Sequence, residues 1–356
     1  MLRSLGALPP VRNVGVEEVM SDLPTLAQVA AEAGVSPATA SRVLTGSVRV
    51  STSTRRQVHD AISRLGYVRH RAPRGGAGRR SDHMVAAVLC EPVHRLFTEP
   101  FYARLITAAE EVLTRHGVPL AMMTATAATS TVATPPLVSG GVDGVLLIGA
   151  RERHPLAVTL AASGVPIRCL GKPPEGIELP HVDMDNRDGG RQAAEHLLLG
   201  GRRSIAVISG PPGLPAARDR LDGFLQTLTL AGMTGVPVAY GDFSHNSGVH
   251  GMQWLLRRMP NVDAVFAASD VMAAAAVQTL RRAGRRVPDD VAVIGFDDAP
   301  VARRTSPPLT TVRQPVEEFA ALAARLLLLA MSSPATAGGA GNNPVLPTEL
   351  VVRESA

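Results

Sequence analysis

Residues 25–67, TLAQVAAEAGVSPATASRVLTGSVRVSTSTRRQVHDAISRLGY, decide how the amino-terminal part of this chain folds. Leu26, Val29, Ala30 and Ala33 recur at i, i+3, i+4 and i+7, which gives a helix with one apolar face. Thr25 followed three residues later by Gln28 reads as a capping box, and Gly34 as a helix stop. Ser36 is the next N-cap, with Pro37 at the first helical position, where a missing amide costs nothing. This second helix buries Ala40, Val43 and Leu44 and turns Pro37, Ala38, Ser41 and Arg42 outward. A third helix starts near Ser51, buries Val58, Ala61, Ile62 and Leu65, and stops at Gly66. Two helices joined by a tight glycine turn, with a third closing the core, form the helix-turn-helix pattern that places its second helix in a DNA groove.

A small three-helix bundle with no nucleic-acid role would show the same periodicity, so charge has to separate the two readings. Residues 20–81 hold ten arginines against three acids, a net +7; residues 1–19 are neutral, which leaves −2 from Asp82 onward within the overall +5. A basic head on a slightly acidic body is the electrostatic footprint of DNA binding confined to one module.

With 356 residues, 45% of them hydrophobic, the chain can build two or three domains, and because only 3% are aromatic the core must rest on Leu, Val and Ala. Cys90 and Cys169 sit in apolar runs without metal-ligand spacing and read as reduced core residues of a cytoplasmic protein. No metal or cofactor is expected. No apolar run reaches transmembrane length, Leu326–Met331 being far too short, so no membrane association is expected. Residues 1–20 lack the apolar core of a signal peptide and read either as a disordered extension or as a mis-assigned start ahead of Met20.

From His83 the pattern changes to short apolar strands alternating with amphipathic helices. Strands are expected at 84–90, 118–123, 142–148, 165–170, 204–208, 236–240, 264–266 and 291–294, and helices at 102–116, 188–199, 221–231, 248–259 and 272–283. Such alternation implies two doubly wound parallel sheets side by side, with a ligand held at the carboxyl ends of their strands. Thr124–Val138, rich in Thr, Ser and Pro, carries little helix signal, and Ser332–Asn343 reads as a flexible loop.

The head motifs resemble those of the LacI/GalR family of transcriptional regulators: Leu26-Ala27-Gln28-Val29-Ala30, Ala33-Gly34-Val35-Ser36, Thr39-Ala40-Ser41-Arg42-Val43-Leu44 and Leu65-Gly66-Tyr67. The resemblance continues to the C-terminus through Val182-Asp183-Met184-Asp185-Asn186, Ser209-Gly210-Pro211, Arg220-Leu221-Asp222-Gly223-Phe224, Gly295-Phe296-Asp297-Asp298 and Leu309–Pro315. It implies an all-α head (21–67), a hinge (68–82) and an α/β body like a periplasmic binding protein (83–356). Its first subdomain is expected at about 83–180 plus 312–331 and its second at about 181–311 plus 345–352. It also implies an effector site in which Arg220 contacts ligand, Asp297 is its acidic partner, Phe101 and Phe243 are walls, and Asp270 lies at the mouth. Chemically, a guanidinium fork and a carboxylate together suit a polyhydroxylated ligand or a nucleobase. For Asp270 a plain helix-capping role stays open, as does core packing for the two phenylalanines.

On DNA, Arg42 is placed to make a bidentate contact to guanine, whereas Pro37 and Ala38 offer shape and apolar contact only. Thr25, Ser36, Thr39, Ser41, Ser51 and Thr54, with Arg49, Arg55 and Tyr67, suit phosphate contacts that position the module. The family's hinge helix wedges a leucine into the minor groove, but here Gly76 stands at that place and Pro73 opposes a helix. A basic arm of Arg69, Arg71 and Arg74, or a plain linker, replaces it. A homodimer on a near-palindromic operator is expected, because one head is too small to select a site. Two other classes fit the sequence less well. A solute-binding receptor with a non-specific basic head would share the body but needs an export signal. An enzyme would need a catalytic constellation, and HExxH, CxxC, GxSxG and Walker motifs are all missing.

Overall fold

The computed structural model describes residues 25–44, 50–65, 83–332 and 343–356, in two compact units that divide at Gly76. The expectations for residues 1–20, for the hinge 68–82 and for Arg49, Tyr67, Arg69, Arg71 and Arg74 lie outside the described residues.

The head comprises α1 (Leu26–Glu32), α2 (Pro37–Leu44) and α3 (Thr52–Leu65). Its local determinants act as the sequence implies. Gln28 N–H donates to Thr25 Oγ1 at 3.3 Å and Thr25 N–H donates to Gln28 Oε1 at 2.6 Å, closing the capping box. Gly34 takes φ 65°, and its amide and that of Val35 return to Ala31 and Ala30 carbonyls. Val29, Ala30, Ala33, Ala40, Val43, Val58 and Ala61 form the buried core, with Leu26, Ile62 and Leu65 packed at its edge.

The body runs β1 (Val85–Leu89), α4 (His94–Thr98), α5 (Pro100–Arg115), β2 (Leu120–Thr124), α6 (Ser130–Val138), β3 (Gly144–Ile148), α7 (Pro155–Ala161), β4 (Ile167–Leu170) and β5 (His181–Met184). It continues through α8 (Asn186–Leu199), β6 (Ile205–Ser209), α9 (Pro215–Leu230), β7 (Val238–Tyr240), α10 (His245–Arg258), β8 (Ala264–Ala267), α11 (Asp270–Arg282) and β9 (Ala292–Asp297). It ends with β10 (Thr310–Arg313), α12 (Val316–Ser332), β11 (Val345–Leu346) and β12 (Glu349–Val351). Two six-stranded sheets result, ordered β11-β5-β4-β3-β1-β2 and β12-β10-β9-β8-β6-β7, parallel except where β12 joins β10. Most central strands are buried end to end, as a sheet covered by helices on both faces requires.

Three expectations need correction. The strand β5 belongs to the first sheet and β10 to the second, so the chain crosses after Met184 and again after Arg313, a few residues beyond the expected bounds of about 180 and 312. Residues 345–352, expected to lie wholly in the second subdomain, hold two strands, one in each sheet. Pro347 has no amide to continue a ladder, so β11 pairs with β5 and β12 with β10 across the break. The Thr124–Val138 segment contains α6 despite Pro135 and Pro136 inside it. Burial of Ala133 and Leu137 in the core under β1 and β3 outweighs the lost helical amides.

The helices α8 and α9 cross closely because of two glycines. A Cβ on Gly223 would meet the Arg187 carbonyl at 1.9 Å, and one on Gly190 would meet the Arg220 carbonyl at 2.1 Å. Both obstacles are backbone, so they cannot swing aside. Gly223→Ala is therefore expected to destabilise the body by roughly 1–3 kcal/mol through overpacking, read as a lower thermal midpoint; an unchanged midpoint would mean that the crossing is slack.

Candidate functional site

The crossing of α8 and α9 carries Arg220 into the space between the two sheets. The helix α9 begins at Pro215, six residues earlier than the sequence pattern suggests, so Arg220 is interior to it and only 6% exposed. Its Nε–H donates to Asn186 Oδ1 at 2.9 Å and Nη1 donates to the Ala268 carbonyl at 2.6 Å. Nη1 also reaches Asp297 Oδ1 at 3.4 Å, and the guanidinium lies 3.8 Å from the Phe296 ring centroid. Burial lowers the Arg220 pKa, opposed by the Asp297 charge. Burial likewise raises Asp297, to about 6, against the pull of Arg220 and a hydrogen bond from Gln314 Nε2. Asp297 sits at φ 114° at the end of β9, where β9 turns away from the sheet. This is strained backbone at a functional position.

Around this pair lies a cleft whose lining comes from both subdomains. Its floor and walls include Phe101, Tyr102, Leu170, Met184, Phe243 and Phe319, and its polar groups are Arg95, Glu99, Lys172, Asp183, Asn186, Arg220, Ser269, Asp297 and Gln314. Phe243 takes φ 72°, rare for an aromatic residue, and its ring rests on Gly210, where a Cβ would stand 2.3 Å from it. That contact gives the Ser209-Gly210-Pro211 motif its physical meaning. Gly210 is the floor on which an aromatic wall is laid.

Lys172, the chain's single lysine, reaches from the end of β4 to Asp219 on α9 at 2.5 Å and lies 3.8 Å from Asp183. Burial raises Asp183 to about 6, although the Met184 amide and Lys172 oppose it. Glu99 is raised to about 7, again by burial, with Arg95 opposing. Three cations and three carboxylates line the cleft, so their formal charges cancel when all are ionised. Two buried polar atoms of lining residues, Arg95 Nε and Gln314 Oε1, have no partner among the described residues.

The structure therefore brings Phe101, Phe243, Arg220 and Asp297 together at one cleft, and it sets Asp270 apart. Asp270 is wholly buried and does not line the cleft. Its carboxylate accepts from the Ala299 amide at 2.7 Å and from Thr311 Oγ1 at 2.6 Å, tying the turn after β9 to β10. The N-cap of α11 is Ser269, so Asp270 is neither a mouth residue nor the cap. Sequence reading passed over Arg95, Glu99, Lys172, Asp183, Asn186 and Gln314. Asn186 and Gln314 directly follow or nearly follow strand ends, where a doubly wound fold puts its ligand contacts, and that rule would have singled them out.

In the head, Pro37, Ala38 and Arg42 are exposed on α2, with Thr39 and Ser41 half-buried beside them. Ser36 caps α2, accepting from Thr39 N–H at 3.1 Å, and Ser51 caps α3, accepting from Thr54 N–H at 3.2 Å. Three of the hydroxyls expected at phosphates, those of Thr25, Ser36 and Ser51, thus also hold helix starts. Thr54 and Arg55 are half-buried near the start of α3. Among the described residues no helix is long and apolar enough to cross a membrane.

Comparison with known proteins agrees with both halves. Residues 25–70 match the family described as bacterial regulatory proteins, lacI family, and residues 194–356 match a periplasmic binding protein-like domain. The HTH-type transcriptional regulator CelR of Thermobifida fusca is 44% identical over 342 residues, covering 93% of this chain and 98% of that protein. The HTH-type transcriptional repressor CytR of Escherichia coli (strain K12) is 31% identical over 335 residues, covering 93% and 96%. Among solved structures, the CelR–cellobiose complex superposes with a TM-score of 0.73 at 43% identity, covering 94% of this chain and all of that one. The lac repressor dimer bound to operator and the anti-inducer ONPF superposes with a TM-score of 0.69 at 26% identity, covering 94% and 99%. With its helix-turn-helix head and its two-sheet cleft, this chain belongs to the lacI family of bacterial transcriptional regulators.

Proposed function

We propose that the protein is a repressor whose hold on its operator is set by a neutral sugar, of the size and chemistry of cellobiose, bound between the two subdomains. The observation that carries this reading is the composition of the cleft. A guanidinium and a carboxylate in contact, aromatic walls and cancelling formal charges suit a ligand that both donates and accepts hydrogen bonds and brings no charge. The cellobiose in the complex of a 43% identical relative supports it. Calorimetric titration with cellobiose, maltose, glucose and glucose 6-phosphate tests it: a neutral disaccharide is expected to bind and the phosphate not to. Preference for the charged sugar would sink the reading.

On DNA, Arg42 reads a guanine, Pro37 and Ala38 shape the contact, and Thr25, Ser36, Thr39, Ser41, Ser51, Thr54 and Arg55 position the head on phosphates. The protein acts as a homodimer in the cytoplasm, without catalytic activity. Support for a partner comes from apolar side chains left outside. Phe97 is 81% exposed on α4, and Tyr240 on β7 and Trp254 on α10 are exposed as well.

The raised carboxyls give the binding step a pH signature. Glu99, Asp183 and Asp297 stand at about 7, 6 and 6, above ordinary carboxylates, so the unliganded fold holds protons that the unfolded chain has released. The resulting stabilisation is present at low pH and is lost as pH rises through this window. Sugar hydroxyls that donate to these groups favour their charged forms and lower their pKa. Binding is therefore expected to release protons and to tighten as pH rises through the range of those values, levelling off above it. Calorimetry in two buffers of different ionisation enthalpy checks this; proton uptake would contradict it.

A further inference from the structure

Among the described residues, Arg95 is the one that lines the cleft and combines deep burial, a bond to the opposite subdomain and an unsatisfied donor. It sits on α4 of the first subdomain and is 4% exposed. Its Nη2 donates to the carbonyl of Asp242, in the loop between β7 and α10 of the second subdomain. Nη1 lies 3.9 Å from the Asp242 carboxylate and 3.6 Å from Glu99. The Nε–H is buried and has no acceptor among the described residues, and Arg95 is one of the residues that line the cleft. Buried guanidinium donors are almost always satisfied, and leaving one unmet is costly. The missing partner belongs on the cleft side, because the outer nitrogens are held by Asp242 and Glu99.

We infer that Arg95 is a specificity-determining residue: its Nε donates to an acceptor oxygen of the neutral sugar, while its outer nitrogens hold the two subdomains together through Asp242. Occupancy and closure then meet in a single side chain. A ligand oxygen on Nε fixes the guanidinium plane, and that plane aims Nη2 at the Asp242 carbonyl. The flanking carboxylates of Glu99 and Asp242 already supply counter-charge to Arg95, so the ligand group that Nε donates to is a hydroxyl or ether oxygen and not an anion. This inference rests on the proposed sugar site.

The full-length protein tests it with Arg95→Lys, which keeps the charge and has no Nε, and with Arg95→Gln. Arg95→Lys is expected to weaken cellobiose binding by about tenfold or more, the worth of one charge-assisted hydrogen bond. The signature that a merely structural role would not produce comes from monodeoxy analogues of cellobiose. One of them loses affinity for the unmodified protein but no more than the parent sugar for Arg95→Lys. Equal binding of all the analogues by both proteins overturns the inference. Closure is read separately and without ligand, from the distance between spin labels at Glu111→Cys and Arg258→Cys. That distance lengthens in Arg95→Gln; an unchanged distance overturns the bridging half. If the unmodified protein binds no neutral sugar, the proposed function fails and the donor role of Nε fails with it. The bridge to Asp242 is still judged by the label distance.

Discussion

Replacing Arg220 with methionine is expected to abolish the response to sugar while leaving operator binding in place, so that the repressor no longer releases DNA. The guanidinium meets three different acceptors, Asn186 Oδ1, the Ala268 carbonyl and Asp297 Oδ1, and stacks on Phe296. Removing it leaves the largely buried Asp297 carboxylate with Gln314 as its close donor among the described residues, a loss of order 3–5 kcal/mol when one partner of a buried pair is deleted. Asp297 responds by holding its proton to higher pH still, which removes the charged acceptor from the cleft. Arg220→Lys restores the charge but not the fork, because an ammonium cannot reach three acceptors held in different directions. It is expected to recover part of the stability and little of the sugar affinity. Thermal unfolding and calorimetry on the two variants separate these effects; sugar affinity within about threefold of the unmodified protein in Arg220→Met would remove Arg220 from the site, given the tenfold worth of such contacts.

The second large effect belongs to the head. Arg42 is exposed on α2, whose core-facing Ala40 and Val43 anchor the helix beneath it. A bidentate contact to guanine contributes about 1–3 kcal/mol of discrimination. In a two-fold complex the loss in Arg42→Ala counts twice, and a drop in operator affinity of about a hundredfold is expected. The relaxed position should be one guanine per half-site, with the salt dependence changed little beyond the loss of one cation per head. A uniform loss across all sequences would reassign Arg42 to the phosphate backbone.

The head was legible almost completely, because its determinants are local. Capping pairs, the Gly34 turn and apolar spacing all act within a few residues. The body was legible where buried strands alternate with amphipathic helices, and less so where tertiary contacts override local preference. No periodicity predicts α6, whose helix is kept by Ala133 and Leu137 beneath the first sheet. The placement of β5 escaped because strand membership depends on pairing with β4, and that partner is set by the crossing geometry. In the cleft, Arg220 and Asp297 were found through motif resemblance. Asp270 was misplaced for the same reason, since proximity to a strand end does not say which way a carboxylate points. Arg95, Glu99 and Lys172 matter through contacts that cross from one subdomain towards the other, and neither spacing nor composition encodes such contacts.

We propose that one chain couples sugar in the cleft to sequence-specific DNA binding. Selection of bound sequences from a random duplex pool at fixed salt, carried out with and without saturating cellobiose, tests it most directly. A near-palindromic consensus that emerges without sugar and is lost with it is the predicted result. Weak, steeply salt-dependent binding with no consensus, unaltered by sugar, would contradict it and leave the head as a non-specific anchor.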